Sequence, residues 1–599
     1  MISSRMKPLL DWIDSRTGYR KLTQEALYEN IPGGARWRYV WGSTLTFAFS
    51  IQVITGIFLW MAYSASAQTA WESVFYIQFE MAGGWFLRGL HHYTAQVMTI
   101  LLALHLLQVL IDGAYKAPRE FNFWSGLLLL QLTLALSLTG YLLPWDQKGY
   151  WATKVATNIV SIVPFIGPDL QKLVVGGPDY GHHTLTRFLA LHAGVLPGLI
   201  IALIGGHIYF FRRHGLHAKQ PLKKPDAKFW PDQVLADAIA CLGVLFTVVV
   251  LTLITRGAEL AAPADAASQF SAARPEWYFL FLFELLKYFP GESEIIGAIV
   301  LPGAAVGFMF LMPYLGQWKL GHRFNLAFVF GGLAGAGLLT WMAMKQDNND
   351  PNFQRALRDS HHQAARVIEL AKAPSGIPIA GAAVLLREDP YIQGPKLFAK
   401  HCASCHRYGG HDGEGNPVKD PQSAADLKGF ASREWLAGLL DPAKVDSLHY
   451  FGGTKFKDGK MVKWVKKNAD EPAEQEQLKK VIAALSAEAQ LKSQRDADAR
   501  DIAIIKQGVE LARGDVACTD CHAFGKPDPD ATAPTLTGYG SRDWLVRFIG
   551  NPEHADFYGK RNDRMPLFGE KQILDAKTIG ILADWLRGEW YEAPKTAGK

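Results

Sequence analysis

The stretch LRGLHHYTAQVMTILLALHLLQVLI, residues 87–111, decides the fold. As a helix it can cross about 30 Å of hydrocarbon, which takes roughly 20 residues, and beyond Arg88 it holds no lysine or arginine. It nevertheless carries His91 and His105, and ionisable groups inside a bilayer are costly and usually functional. A second stretch, FLALHAGVLPGLIIALIGGHIYFF at 188–211, carries His192 and His207. Fourteen residues separate the first pair and fifteen the second, which are rises of about 21 and 22 Å. At about 100° per residue the two rings of each pair project within about 60° of one another. Both helices run in the same direction, so His91 faces His192 near one surface and His105 faces His207 near the other. Two bis-histidine b haems stacked across the membrane follow from this ladder. His92 rivals His91, but its thirteen-residue spacing to His105 turns it to the opposite face.

Outward from these two helices lie five more apolar runs, giving seven spans at about 39–63, 87–111, 124–144, 188–211, 235–254, 295–315 and 324–344. Gly42 and Gly56 in the first span are fourteen apart, as are Gly126 and Gly140 in the third. Glycine permits close backbone approach to a flat ligand, and this repeat matches the histidine spacing, so these glycines are expected to pack on haem. Orientation follows from loop charge. Arg16, Arg20, Lys21, Arg36 and Arg38 precede the first span, whereas the loop 64–86 has no lysine or arginine. Arg212, Arg213, Lys219, Lys223, Lys224 and Lys228 crowd the loop after the fourth span. The N-terminus is therefore expected in the cytoplasm, and seven crossings deliver residues 345–599 to the outside.

The remainder of the chain reads as a charged soluble protein. A net charge of +6 over 599 residues gives no case for nucleic-acid binding. No secretory signal peptide is visible in the first thirty residues, so the membrane spans are expected to drive export. Four of the five cysteines form two identical patterns, Cys402-Ala-Ser-Cys405-His406 and Cys518-Thr-Asp-Cys521-His522, while Cys241 lies inside an apolar run. Cys-x-x-Cys-His is the c-type haem attachment sequence, with the histidine ligating iron. A four-cysteine zinc site is the rival, but the pairs are 116 residues apart and zinc ribbons use far shorter spacings. Leu427-Lys-Gly429-Phe-Ala-Ser-Arg433-Glu-Trp435-Leu436 matches Leu536-Thr-Gly538-Tyr-Gly-Ser-Arg542-Asp-Trp544-Leu545, so the soluble half holds two copies of one small helical module. The sixth ligand is expected to be methionine, Met461 in the first copy and Met565 in the second, with His411 and His449 as alternatives in the first. The reading divides the chain into 1–220 with four spans and two b haems, 221–344 with three spans, a connector 345–388 broken near Pro374-Ser-Gly376 and Pro378, and cytochrome c domains at 389–492 and 493–599. The fold class expected is all-α.

Arg88-Gly-Leu-His91, Leu142-Leu-Pro-Trp145-Asp146-Gln147-Lys-Gly-Tyr150-Trp151, Thr186-Arg187-Phe188 and Pro275-Glu276-Trp277-Tyr278 resemble the cytochrome b of Rieske/cytochrome bc complexes, over residues of about 30 to 344. The spacing of His192 and His207 is similar to that of the photosynthetic branch. Tyr39 stands where that branch attaches an extra haem through cysteine, so no such haem is expected. The eighth helix of the mitochondrial branch is missing. The resemblance implies quinol oxidation near Pro275, Glu276, Trp277 and Tyr278, with Glu276, Tyr278 and Tyr150 catalytic and Arg88 packed on haem. It also implies an inner quinone site at Asp237.

The same resemblance implies that one electron goes to a Rieske iron–sulphur centre and the other through the b haems to inner quinone, coupled to proton translocation. A Rieske cluster needs two cysteines and two histidines, and no cysteine pair is left over, so the iron–sulphur protein is expected as a separate chain. The fused c haems would then pass electrons to an outer soluble or membrane acceptor. A homodimer in a bacterial cytoplasmic membrane is expected. The alternative is a haem-bearing membrane anchor that relays quinol electrons to an attached reductase without bifurcation.

Overall fold

The computed structural model describes residues 6–218, 224–268, 270–469 and 472–594; Lys219 and Lys223 of the basic loop, and the division at residue 220, lie outside the described residues. The fold is all-α, and its one sheet among the described residues is a two-residue antiparallel pair, Asn30–Ile31 with Ala227–Lys228. Contacts divide the chain into two compact units, 1–368 with 377–383, and 369–376 with 384–599.

Among its described residues the first unit contains seven helices long and apolar enough to cross a membrane: α1 (Trp41–Trp60), α2 (Gly84–Asp112), α3 (Glu120–Tyr141), α4 (His182–His214), α5 (Val234–Thr255), α6 (Gly291–Leu315) and α7 (Lys319–Asn349). α2 and α4 to α7 outrun the apolar runs that announce them, whereas α1 is shorter than its run and α3 is shifted towards its N-terminus. α7 continues five residues past 344 because its polar end has partners: Arg274 makes a two-pronged bond to Asp347, and Gln346 donates to Glu284. α2 stops at Gly113, whose φ of +70° lets its N–H turn back to the carbonyl of Val109 or Leu110. α1 packs along α2, and α3 along α4. Ala48, Phe49, Met98, Leu101 and Ile200 fill the middle of this four-helix group. Around Ala190–Val195 the turn of α4 widens to a π-turn containing His192. Such a turn holds one more residue than an α-turn, which absorbs the fifteen-residue spacing on α4 and keeps it level with the fourteen on α2.

In the second unit the helices that matter are α8 (Pro390–His401), α9 (Arg433–Leu439), α10 (Pro472–Glu488), α11 (Ile502–Arg513), α12 (Arg542–Gly550) and α13 (Ala576–Leu586). The repeat is visible in local geometry. Ser432 Oγ accepts the N–H of Trp435 and Ser541 Oγ that of Trp544, capping α9 and α12. The two indoles donate in the same way, Trp435 to the carbonyl of Asp426 at 3.1 Å and Trp544 to that of Thr535 at 3.0 Å.

Helix packing, however, does not follow the division between 492 and 493. α8, which leads into the first cysteine motif, lies against α13 at the end of the second copy, and α11 lies against α10. A Cβ on Gly394 of α8 would fall 2.1 Å from Trp585 Cγ of α13, and one on Gly508 of α11 would fall 2.9 Å from Ala484 Cβ of α10. Each glycine is where two helices from different copies touch. Between 351 and 388 the chain is helical over Pro351–Ala371 and again over Ala383–Arg387, with the break where Pro374 and Pro378 stand.

Candidate functional site

Each of the four membrane histidines meets the partner that the spacing requires. The rings of His91 and His192 have centroids 6.2 Å apart, and those of His105 and His207 are 6.4 Å apart. A metal–imidazole bond is about 2.0 Å, so two rings sharing one metal ion have centroids roughly 6 Å apart. The rings therefore fit a bis-histidine iron.

Their tautomers are set by the neighbouring helices. Thr55 Oγ1 gives its proton to the carbonyl of Ile51 at 2.6 Å and so accepts from His91 Nδ1 at 2.9 Å. Ser125 does the same for His207, giving its proton to Asn122 and taking the Nδ1 bond at 2.9 Å. His192 Nδ1 lies 3.1 Å from the carbonyl of Leu136 and 3.3 Å from Thr139 Oγ1. A proton held on Nδ1 leaves Nε2 as the bare nitrogen for iron. His105 Nδ1 is buried with no hydrogen-bond partner among the described residues.

The four glycines expected against haem lie against the histidines. A Cβ at Gly140 would sit 2.5 Å from His192 Cε1, at Gly56 3.3 Å from His91 Cε1, at Gly126 3.3 Å from His207 Cε1, and at Gly42 3.8 Å from His105 Cε1. The hydroxyls were missed from sequence, although a signal exists: Thr55-Gly56, Ser125-Gly126 and Thr139-Gly140 each place a hydroxyl residue directly before the glycine. The fourth glycine follows Trp41 instead, and its histidine is the one without a partner.

Glu276 and Trp277 are both pinned to Gln96 on α2: Gln96 Nε2 donates to Glu276 Oε2 at 3.0 Å, and the Trp277 indole donates to Gln96 Oε1 at 2.7 Å. Gln96 is five residues beyond His91, so the loop is tied to the histidine-bearing helix within about 8 Å of helix rise from that histidine. Sequence reading passed over Gln96; a polar residue within an apolar span was the signal. Burial pushes the Glu276 carboxyl above the usual carboxylate range, with the Gln96 bond opposing, and burial pushes Tyr278 up to about 12. Tyr150 is only 4% exposed, packed with Trp145, Trp151 and Tyr180, so its surroundings are those of a core residue. Arg88 is a clamp, donating to Gln78 and to the carbonyls of Ala258 and Glu259. Asp237 is buried, accepting from Ser43 at 2.7 Å and Gln233 at 2.8 Å.

In the second unit, His406 Nδ1 donates to the carbonyl of Ala425 at 2.8 Å and His522 Nδ1 to that of Pro534 at 2.6 Å, again leaving Nε2 for iron. His411 Nδ1 instead accepts from the backbone of Gly413 at 3.0 Å and Gly415, which puts its proton on Nε2 and removes it as a ligand through that nitrogen.

A family model described as Cytochrome b(N-terminal)/b6/petB matches residues 96–265, and one described as Cytochrome b(C-terminal)/b6/petD matches 263–348. The menaquinol:cytochrome c reductase cytochrome b subunit of Geobacillus thermodenitrificans is 38% identical over 219 residues, 35% of this chain and 98% of that protein. The chain belongs to the cytochrome b family. A cytochrome bc complex cytochrome b subunit of Chlorobaculum thiosulfatiphilum is 31% identical over 341 residues, 56% of this chain and 76% of that protein. A cytochrome c family model matches residues 391–486, so this cytochrome b is followed by a cytochrome c domain. A solved structure titled Hyperthermophilic respiratory Complex III aligns at 25% identity and TM-score 0.49, over 59% of this chain and 95% of that one.

Proposed function

We propose that this cytochrome b oxidises quinol in a bc-type complex and that its fused c haems serve as the complex's own cytochrome c. The reading rests on one observation above all: Glu276 and Trp277 are fastened through Gln96 to the helix that carries His91. A quinol beside Glu276 is thereby next to the His91/His192 site. His91 with His192 and His105 with His207 hold two b haems, and Cys402, Cys405, His406 and Cys518, Cys521, His522 hold two c haems. Haem in these sites supplies one-electron transfer along the bundle and out of the quinol site.

The protein's own task is proton handling and positioning. Glu276, raised by burial and held by Gln96, takes the quinol proton; a base works best with its pKa near the working pH. Tyr278, whose hydroxyl bonds Ser137, keeps its own proton and so donates to the quinol oxygen. Asp237, positioned by Ser43 and Gln233, serves quinone at the second site. A separate Rieske chain takes the other electron, in a bacterial cytoplasmic membrane with the N-terminus inside and the c haems outside. Proton release outside and uptake inside make the turnover translocate protons.

Purification of the complex tests this. An iron–sulphur chain should co-purify, haem spectra should give two b and two c haems per chain, and quinol oxidation should be lost when the iron–sulphur chain is removed. Full-rate reduction of the b haems by quinol without that chain would replace bifurcation with the simple relay.

A further inference from the structure

The two copies in the soluble unit meet about a pseudo-twofold axis. Phe430 and Tyr539 occupy equivalent positions in the repeat, and their rings are 5.3 Å apart. The next equivalent pair also meets, since a Cβ on Gly540 would lie 2.3 Å from that of Ala431. Equivalent residues touch one another where two related segments cross. At this crossing the buried Arg587 guanidinium donates to the carbonyls of Ala489 and Gly540, both at 2.6 Å, tying the two copies.

Beyond the crossing, the two halves of each copy part company. Phe398, Ala403, Cys402 and Tyr408 of the first copy form one core with Ile549, Met565, Phe568, Ile579, Leu582 and Trp585 of the second. Trp585 stacks on Tyr408, centroids 4.3 Å apart and planes at 29°, and His401 meets Phe568 at 6.4 Å. The other core combines Trp435, Tyr450, Met461 and Val481 of the first copy with Val509, Val516, Cys518 and Phe524 of the second. Each core thus contains one attachment cysteine and one methionine, from different copies. A thioether is the soft, apolar ligand that a buried haem iron takes opposite histidine, and each core offers one.

We propose that the copies exchange axial ligands: the haem on Cys402 and Cys405, ligated by His406, takes Met565, and the haem on Cys518 and Cys521, ligated by His522, takes Met461. The inference rests on both motifs being haem attachment sites, and it reverses the assignment that sequence order suggests. Neither copy is then a complete haem domain.

Met565→Ala in the full-length holoprotein opens the sixth position of one haem, and a five-coordinate ferric haem is bleached by hydrogen peroxide while six-coordinate haems are spared. After brief peroxide treatment, peptide mapping should show loss of intact haem from the 402–406 peptide and its retention on 518–522. Met461→Ala should give the mirror image. Loss of haem from 518–522 in Met565→Ala overturns the exchange and restores ligation within each copy. Absence of covalent haem from either motif in the unaltered chain would instead sink the attachment reading itself. Cross-linking the unaltered chain with a zero-length carbodiimide gives a second readout independent of any variant. Lys577 in the first turn of α13 is paired with Glu388 ahead of α8, and a bond between them supports the exchange. A bond from Lys577 to the carboxylates at 496–501 ahead of α11 overturns it.

Discussion

The membrane histidines and the soluble histidines are held by different means. His91, His105, His192 and His207 stand on four-helix packing, each ring against a glycine and three of them fixed by a hydroxyl or carbonyl from the neighbouring helix. His406 and His522 each follow a cysteine pair that would tether haem to the chain itself. Where nothing tethers the cofactor, helix packing alone must bring the rings together, and the glycines let it do so closely. Where the cofactor is tethered, the surrounding helices can come from either copy.

The largest effect that follows from this contrast is at Gly140. Its absent Cβ would lie 2.5 Å from His192 Cε1, inside van der Waals contact. Gly140→Val should push His192 out of line, and the b haem between His91 and His192 should be lost outright. A haem spectrum of the purified variant should then show half the b haem and all the c haem. Full b haem content in this variant would show that the glycine contact is not what holds the ring. Met565→Ala, by comparison, should keep every covalent haem.

Next in size is Glu276→Gln, which preserves the bond with Gln96 but removes the base. General acid–base groups contribute about 10²–10⁴-fold, and quinol turnover should fall towards that range with all haems in place. Burial raises Glu276 above the usual carboxylate range. The proton-accepting form therefore grows as pH rises through that raised value, and native turnover should rise with it. In the variant this limb of the pH profile should vanish. Turnover and pH profile both unchanged would remove Glu276 from the chemistry.

Much of the membrane half is legible in its residues because hydropathy sets helix length and 3.6-residue periodicity sets ring direction. The pairing of the four membrane histidines and the glycines at their spacing could be read in this way. What the glycines touch could not, since spacing alone does not distinguish a porphyrin from an imidazole. Gln96 also escaped, because its role depends on a loop some 180 residues away. In the soluble half the repeat was legible, but not which copy pairs with which. Two copies of one module present nearly the same surfaces, so apolar pattern cannot choose between partners; exchange of identical elements is an inexpensive alternative. Connectivity chooses instead. α10 and α11 are joined by residues 489–501, which hold only short helical pieces, the longest Arg495–Arg500, and a short connection favours packing between neighbours. Once they pair, α8 and α13 are left to each other.

A third prediction probes that leftover pairing. Trp585 is buried, stacked on Tyr408, and meets Gly394 and Phe398 of the other copy. Removing a buried tryptophan side chain costs about 3–5 kcal/mol. Trp585→Ala should lower the unfolding midpoint of the soluble unit in denaturant titrations and disturb the spectrum of the haem on Cys402 and Cys405 first. Disturbance confined to the haem on Cys518 and Cys521 would place Trp585 in the wrong core.

The smallest effect concerns charge between the same two segments. Lys577 and Glu388 form an ion pair with side chains 60% and 44% exposed, and exposed pairs contribute about 0–1 kcal/mol. Lys577→Gln should therefore move the unfolding midpoint far less than Trp585→Ala does. Its small effect should shrink further in high salt, which screens exposed charges. The ratio between the two variants is the informative quantity. If apolar burial holds the exchanged helices, the tryptophan dominates and salt matters little to it. If Lys577→Gln proved as damaging as Trp585→Ala, the exchange would be held by surface electrostatics. The comparison with the membrane half would then fail, because there the histidine-bearing helices meet through apolar contact, glycine and part-buried hydrogen bonds such as Gln52 Nε2 to the His91 carbonyl.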